Sequence, residues 1–230
     1  MTAALTASIP ADRAPLAEMT LDELAVALAP AIADAAAFDG WSDAALVEAA
    51  TLAGVDPAVA RLAYPGGAID MIGGWIAHID ASMVAAFPPE RIATMKIRER
   101  IRALVLFRLV EAGARREALR RALVILALPQ NVARGARTAW HSADVMWRLA
   151  GDNATDYNHY TKRATLAAIY GATLAVFVDD ESDGRTETRA FLDRRIDGIM
   201  RFEKVKAQLL APRERFSMMR FLGRLRYPAA

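Results

Sequence analysis

The chain contains no cysteine, which excludes a disulfide framework and any thiol chemistry. Histidine is almost as scarce, being limited to His78, His141 and His159. A di-iron helical bundle draws on paired Glu-x-x-His motifs, and the sequence has none. Asp156 and His159 have the spacing of one ligand pair but lack a partner motif, so they read as a carboxylate near a helix cap and an exposed imidazole. No metal site and no cofactor are therefore expected. A nucleophile elbow, a Walker loop and a dinucleotide fingerprint are all missing, and no catalytic residue is assigned. Long hydrophobic runs are lacking too. Residues 164–178 form an uncharged run of 15, whereas a spanning helix needs about 20. The first 19 residues lack a basic start followed by an apolar block, and they are not Arg-rich. They read as a disordered tail rather than a secretory signal or transit peptide.

What remains is rich in Ala, Leu, Ile, Val and Met, with Gly and Pro mostly at breaks. No strand signal or internal repeat is evident, so the expected class is all-α. A length of 230 residues suits one domain, or one small and one larger unit. Thr20 and Glu23 form a capping box, and Leu24, Leu28 and Ile32 follow in one helix ended by Gly40. Ser42 caps a shorter helix that stops at Gly54. Asp56 and Pro57 open a third, about seven residues long, before Pro65-Gly66-Gly67 breaks the chain. Long helix, short helix, tight turn, short helix is helix-turn-helix order. Ile69, Ile72, Ile76, Ile79 and Met83 then share a face. A helix from near Glu90 carries Ile97, Ile101, Leu104 and Leu109 inward, with Arg98, Arg100 and Arg102 solvated. Further helices are expected over 117–128, 132–150 and 186–210. Thr155 caps the helix before the last of these. Four segments result: a tail (1–19), a helix-turn-helix-like unit (20–66), a helical domain (67–211) and a final helix (212–230).

Charge is unevenly distributed. Residues 20–80 hold nine acidic side chains and one basic, Arg61, whereas residues 201–230 hold eight basic and two acidic. A recognition helix neutralises phosphates with several Lys or Arg. The acidic N-terminal unit is instead repelled by DNA, and no nucleic-acid partner is expected. At the other end, Met218, Phe221, Leu222 and Leu225 share one side of a helical projection. Arg213, Arg220 and Arg224 share the opposite side. A basic amphipathic helix of this kind suits docking on an anionic lipid surface in preference to packing on the body.

The densest polar and aromatic stretch is MWRLAGDNATDYNHYTKRATLAAIY, residues 146–170. Asp156, His159, Tyr160 and Arg163 recur at three- and four-residue spacing, so they are expected on one face, with Ala167 and Tyr170 continuing that stripe inward. Exposed aromatics among charges make a binding surface. Met71, Ile72, Trp75, Ile76 and Met83 could line a cavity or form plain core.

The same stretch closely resembles the ubiquinone-biosynthesis accessory proteins known as coenzyme Q protein nine. The match runs through Met146, Trp147, Ala150, Gly151, Asp152, Thr155, Asp156, Asn158, Tyr160, Thr161, Lys162, Arg163, Leu166, Ala167, Ala168, Ile169 and Tyr170. The LPQN at 128–131 and RAFLDRRID at 189–197 also look similar. The resemblance implies a TetR-like fold of about ten helices whose helix-turn-helix has lost DNA binding, with a C-terminal amphipathic helix. It further implies that the protein holds an isoprenoid or quinone lipid, and a homodimer is expected. From the apolar stripe rather than from the resemblance, the lipid-binding residues are expected to be Met71, Ile72, Trp75, Ile76 and Met83. The membrane-docking residues would be Arg213, Met218, Arg220, Phe221, Leu222, Arg224 and Leu225. The partner would be the demethoxyubiquinone hydroxylase, met by Met146, Asp156, His159, Tyr160 and Arg163. Eukaryotic members carry Trp where this chain has His159, which points to a weaker contact, a differently matched partner or pH sensitivity. Without a transit peptide, the expected place is the cytoplasmic, inner face of a bacterial inner membrane. Two alternatives are a TetR-type ligand-responsive transcriptional regulator and an enzyme acting directly on the bound lipid.

Overall fold

The computed structural model describes residues 16–152 and 157–210; at 17, 157–158 and 199–210 it describes the backbone alone. Among the described residues there are eleven α-helices and no strand. They are α1 (Leu21–Ala27), α2 (Ala29–Asp39), α3 (Asp43–Leu52), α4 (Pro57–Ala63), α5 (Ala68–Ala86), α6 (Pro89–Ile92), α7 (Ile97–Gly113), α8 (Arg116–Ala127), α9 (Val132–Leu149), α10 (Tyr157–Asp179) and α11 (Thr186–Leu210). Two compact units are distinguished, one up to Leu192 and one from Asp193 onward.

Local chemistry sets several helix starts in the first unit. Thr20 and Glu23 close a reciprocal capping box at α1. Ser42 accepts from the Ala45 amide at α3, and Asp56 accepts from the Ala58 amide at α4, with Pro57 in the first turn. Two helices expected as continuous are divided. The first breaks at Leu28, between α1 and α2, because Pro30 has no N–H to give and its ring crowds the preceding turn. The second divides into α6 and α7. Lys96 sits in extended backbone, and its N–H donates to Glu99, which restarts the helix. Arg100 is not solvated as expected. It is half-buried, and its guanidinium donates to the carbonyls of Ala93, Met95 and Ala150.

That arginine shows how this fold closes helix C-termini. The last carbonyls of a helix carry partial negative charge and lack partners. Arg100 meets Ala150 O at the end of α9 (2.9 Å). Arg121 meets Phe38 O at the end of α2 (3.0 Å). Arg116 and Arg120 both donate to Val178 O at the end of α10 (2.8 and 2.9 Å). Helix α8 therefore anchors the ends of α2 and α10.

Side chains from α1, α2, α3 and α5 and from Leu28 between α1 and α2 contribute to the core, with Leu24, Leu28, Ile32, Leu46, Ile72 and Trp75 buried, and α7 to α10 add Leu104, Leu109, Leu119, Met146 and Leu166. Trp41 stacks at a tilt on Trp75, centroids 5.4 Å apart, and its indole N–H donates to Ala118 O on α8. Gly74 lets α5 reach α1, since a Cβ there would collide with Ala25 O. The Tyr64 hydroxyl donates to that same carbonyl. No helix among the described residues is long and apolar enough to cross a membrane.

Candidate functional site

Helices α5, α7, α8, α9 and α10 surround a cavity of about 130 Å³. Its walls are mainly apolar, with Ile72, Trp75 and Ile76 from α5, Leu119 and Leu123 from α8 and Leu174 from α10. Of the five wall residues expected from sequence, Ile72, Trp75 and Ile76 line this space. Met71 and Met83 are buried, yet do not belong to its wall. A wider surface groove of about 460 Å³ lies between α5 and α9 and includes Arg134, Arg137 and His141. Ile76 and Thr138 belong to both walls.

One end of the cavity is polar, and sequence reading missed it. Arg108 of α7 is 1% exposed and forms an ion pair with Asp80 of α5. Its Nη2 donates to Ser142 Oγ of α9 (3.0 Å), and that hydroxyl donates to Asp80 Oδ2 (3.1 Å). The guanidinium also lies over the Tyr170 ring, 4.9 Å from its centroid. Burial opposes the charge on Arg108, but Tyr170 and Asp80 outweigh it and push its pKa up, so the side chain stays cationic. A signal existed: Arg108 follows Leu104 and Asp80 follows Ile76 at four-residue spacing, so each charge occupies an apolar stripe.

The corner between α9 and α10 carries the polar, aromatic cluster. Tyr160 is 62% exposed and lies 6.1 Å from Trp140 and 5.2 Å from His159, centroid to centroid. His159 is half-buried. Two expected contact residues are interior. Met146 is fully buried, and Arg163 is held beneath the surface by Asp144 (2.5 Å) and Asp152 (3.2 Å). Arg163 turns inward because both carboxylates lie there, so it braces the surface from behind and cannot present itself to a partner. Lys162 joins Asp152 (2.6 Å) and lies over the Trp147 ring, while the Trp147 indole donates to Lys162 O (3.0 Å). Burial would raise the Asp152 pKa, but hydrogen bonds from Lys162 and Arg163 outweigh it and hold the carboxyl below its usual range. Asp156 and the cap expected at Thr155 lie outside the described residues, as do Arg213, Met218, Arg220, Phe221, Leu222, Arg224 and Leu225.

The N-terminal helix pair keeps helix-turn-helix order, with Gly54 at φ 70° in the turn between α3 and α4. Arg61 of α4 is bound through two nitrogens to Asp43 of α3, at 2.7 and 2.8 Å.

Comparison with known proteins bears on these two regions separately. The fold resembles a crystal structure of the TetR transcriptional regulator from Nitrosomonas europaea, with a TM-score of 0.61. That likeness covers 76% of this chain and 97% of the other at 20% identity, so it concerns the fold alone. Residues 132–203 match the family model named COQ9. The chain carries a COQ9-family region on a TetR-like fold. Over 80 residues it is 46% identical to the rat ubiquinone biosynthesis protein COQ9, mitochondrial, and 44% identical to the human protein of that name. Those alignments cover 35% of this chain but only 26% and 25% of the relatives. A longer alignment with COQ9 of Xenopus tropicalis spans 168 residues at 29% identity, 70% of this chain and 53% of the relative. The chain thus spans about half the length of that relative and about a quarter of the first two. The COQ9 region takes in α9, α10 and most of α11, and with them the Tyr160 surface and one side of the cavity.

Proposed function

We propose that this protein is a non-catalytic accessory of ubiquinone biosynthesis that holds an isoprenoid or quinone lipid. The carrying observation is the apolar cavity, walled in part by helices of the COQ9 region. Native interiors keep few voids larger than a water molecule. The relatives, being ubiquinone biosynthesis proteins, supply the pathway. On this reading the exposed Tyr160, with His159 and Trp140 beside it, meets the demethoxyubiquinone hydroxylase, while residues 213–225 dock on anionic lipid. The protein acts as a homodimer at the membrane surface.

The test is mass spectrometry of an organic extract of the purified protein. A stoichiometric quinone or isoprenoid is the expected result. An empty extract, or one holding phospholipid alone, overturns the carrier reading.

A second reading, a TetR-type ligand-responsive regulator, is favoured by the likeness to a TetR structure and by the α3–α4 turn. Against it, Arg61 is the one basic residue across 20–80 and is already engaged by Asp43. A salt-sensitive mobility shift of promoter DNA would restore it.

A further inference from the structure

The Arg108 cluster has one group that its structural duties do not employ. Nη1 pairs with Asp80 and Nη2 donates to Ser142, which ties α5, α7 and α9 together. The third donor position, Nε–H, is buried with no hydrogen-bond partner. A buried donor left unmade carries a desolvation penalty, and native structures keep few of them. Arg108 is also part of the cavity wall.

Three properties of the cavity narrow what would satisfy that donor. Its volume, about 130 Å³, is close to that of an engineered apolar cavity that takes up benzene, about 150 Å³. The space therefore suits one six-membered ring, not a coiled chain. The polar end is already neutral, because Asp80 balances Arg108. An anionic headgroup would set a second negative charge beside Asp80 in a low-dielectric interior. Finally, Gly171 of α10 is exposed yet belongs to the wall, and a Cβ on it would meet no atom within 4 Å. It marks an open side through which a chain can leave.

We propose that the polar end of the cavity seats a neutral, oxygen-bearing ring, whose oxygen accepts from Arg108 Nε–H while its apolar chain leaves past Gly171. This rests on the lipid-holding reading and adds which end of the amphiphile goes inside. Asp80 and Ser142 position the guanidinium, and within that cluster Arg108 Nε–H is the donor that meets the ring oxygen.

The test is calorimetric titration of the full chain with three probes. They are a benzoquinone bearing one isoprenyl unit, an oxygen-free arene with the same chain, and dihexanoyl phosphatidylglycerol. The wild type binds the quinone at least about tenfold more tightly than the arene, the margin of one hydrogen bond to a charged donor. Arg108→Lys keeps a cation opposite Asp80 but has no Nε–H. It should lower quinone affinity about tenfold and leave arene affinity within about twofold. If that variant fails to fold, Arg108→Met with Asp80→Leu replaces the pair by apolar side chains and should show the same selective loss. Gly171→Leu fills the open side and should weaken both ring probes.

Equal binding of quinone and arene by the wild type overturns the seat and leaves the lipid-holding reading standing. Parallel loss of both probes in Arg108→Lys shows a purely structural arginine. Tightest binding of phosphatidylglycerol, lost in Arg108→Lys, would show an anion seat instead. A wild type that binds neither ring probe overturns the seat and the lipid-holding reading together.

Discussion

Gly113 at the end of α7 and Phe177 near the end of α10 touch so closely that a Cβ on the glycine would stand 2.5 Å from the phenyl Cζ. Phe177 is buried and its ring carries Arg185 5.4 Å from its centroid, so it has little freedom to retreat. Gly113→Ala should destabilise the protein by about 1–2 kcal/mol. Overpacking outweighs the helix-propensity gain, which is small at a terminal helical position. Urea unfolding of Gly113→Ala, alone and with Phe177→Leu, checks this. The double variant should recover part of the loss, because the smaller side chain vacates the site that the methyl claims.

Asp152 provides a test with a pH signature. Its pKa lies below the ordinary carboxylate value in the folded protein, so the folded state binds its proton less readily than the unfolded state. Its stabilisation is complete above the usual carboxylate pKa and is lost as pH falls through the lower, folded value. Asp152→Asn should cost about 2 kcal/mol at pH 6, the scale of hydrogen bonds to charged groups. The gap to wild type should shrink as pH falls below the usual carboxylate range. A gap that stays constant from pH 6 to pH 2 would remove the ionised carboxylate from the account.

Asp180 holds the turn into α11. Its two oxygens accept from the amide and hydroxyl of both Ser182 and Thr188, and it is buried. Those bonds overcome the effect of burial and hold its pKa well below the usual range. Asp180→Ala leaves the Thr188 amide, itself buried, without its acceptor, at a cost of about 1–2 kcal/mol. Hydrogen exchange at that amide should accelerate by about tenfold or more.

The Tyr160 surface separates binding from folding. Tyr160→Ala should change stability by no more than about 0.5 kcal/mol, since the side chain is mainly exposed. It should weaken association with the hydroxylase about tenfold or more if this aromatic is an anchor. Met146→Ala should do the reverse in emphasis, costing about 2–5 kcal/mol of stability as a buried large-to-small change. A pull-down that Tyr160→Ala leaves unaltered would dismiss the patch.

The C-terminal segment has its own assay. Phe221→Ser with Leu225→Ser should abolish cosedimentation with anionic vesicles while the far-ultraviolet circular dichroism stays helical. Unchanged sedimentation would discard the docking role of residues 213–225.

What the sequence settled by itself was local. The caps at Thr20, Ser42 and Asp56 depend on side chains meeting backbone within a few residues, and the stop at Gly151 on a positive φ; these stand where the pattern put them, and the limits of α9 and α11 fall within one residue of it. The all-α class follows from the same periodicity. Pro30 was equally local, and its break in the first helix could have been read from the missing N–H. The pairing of Arg108 with Asp80 could not, because 28 residues separate them and only the packing of α7 on α5 makes them neighbours. Burial of Met146 and Arg163 was decided in the same way. A helical projection shows which residues share a face; which face is covered depends on what packs against it. Tertiary structure alone chose that, because the apolar area that α9 and α10 bury against each other and against α5 and α7 exists only once all four are in place.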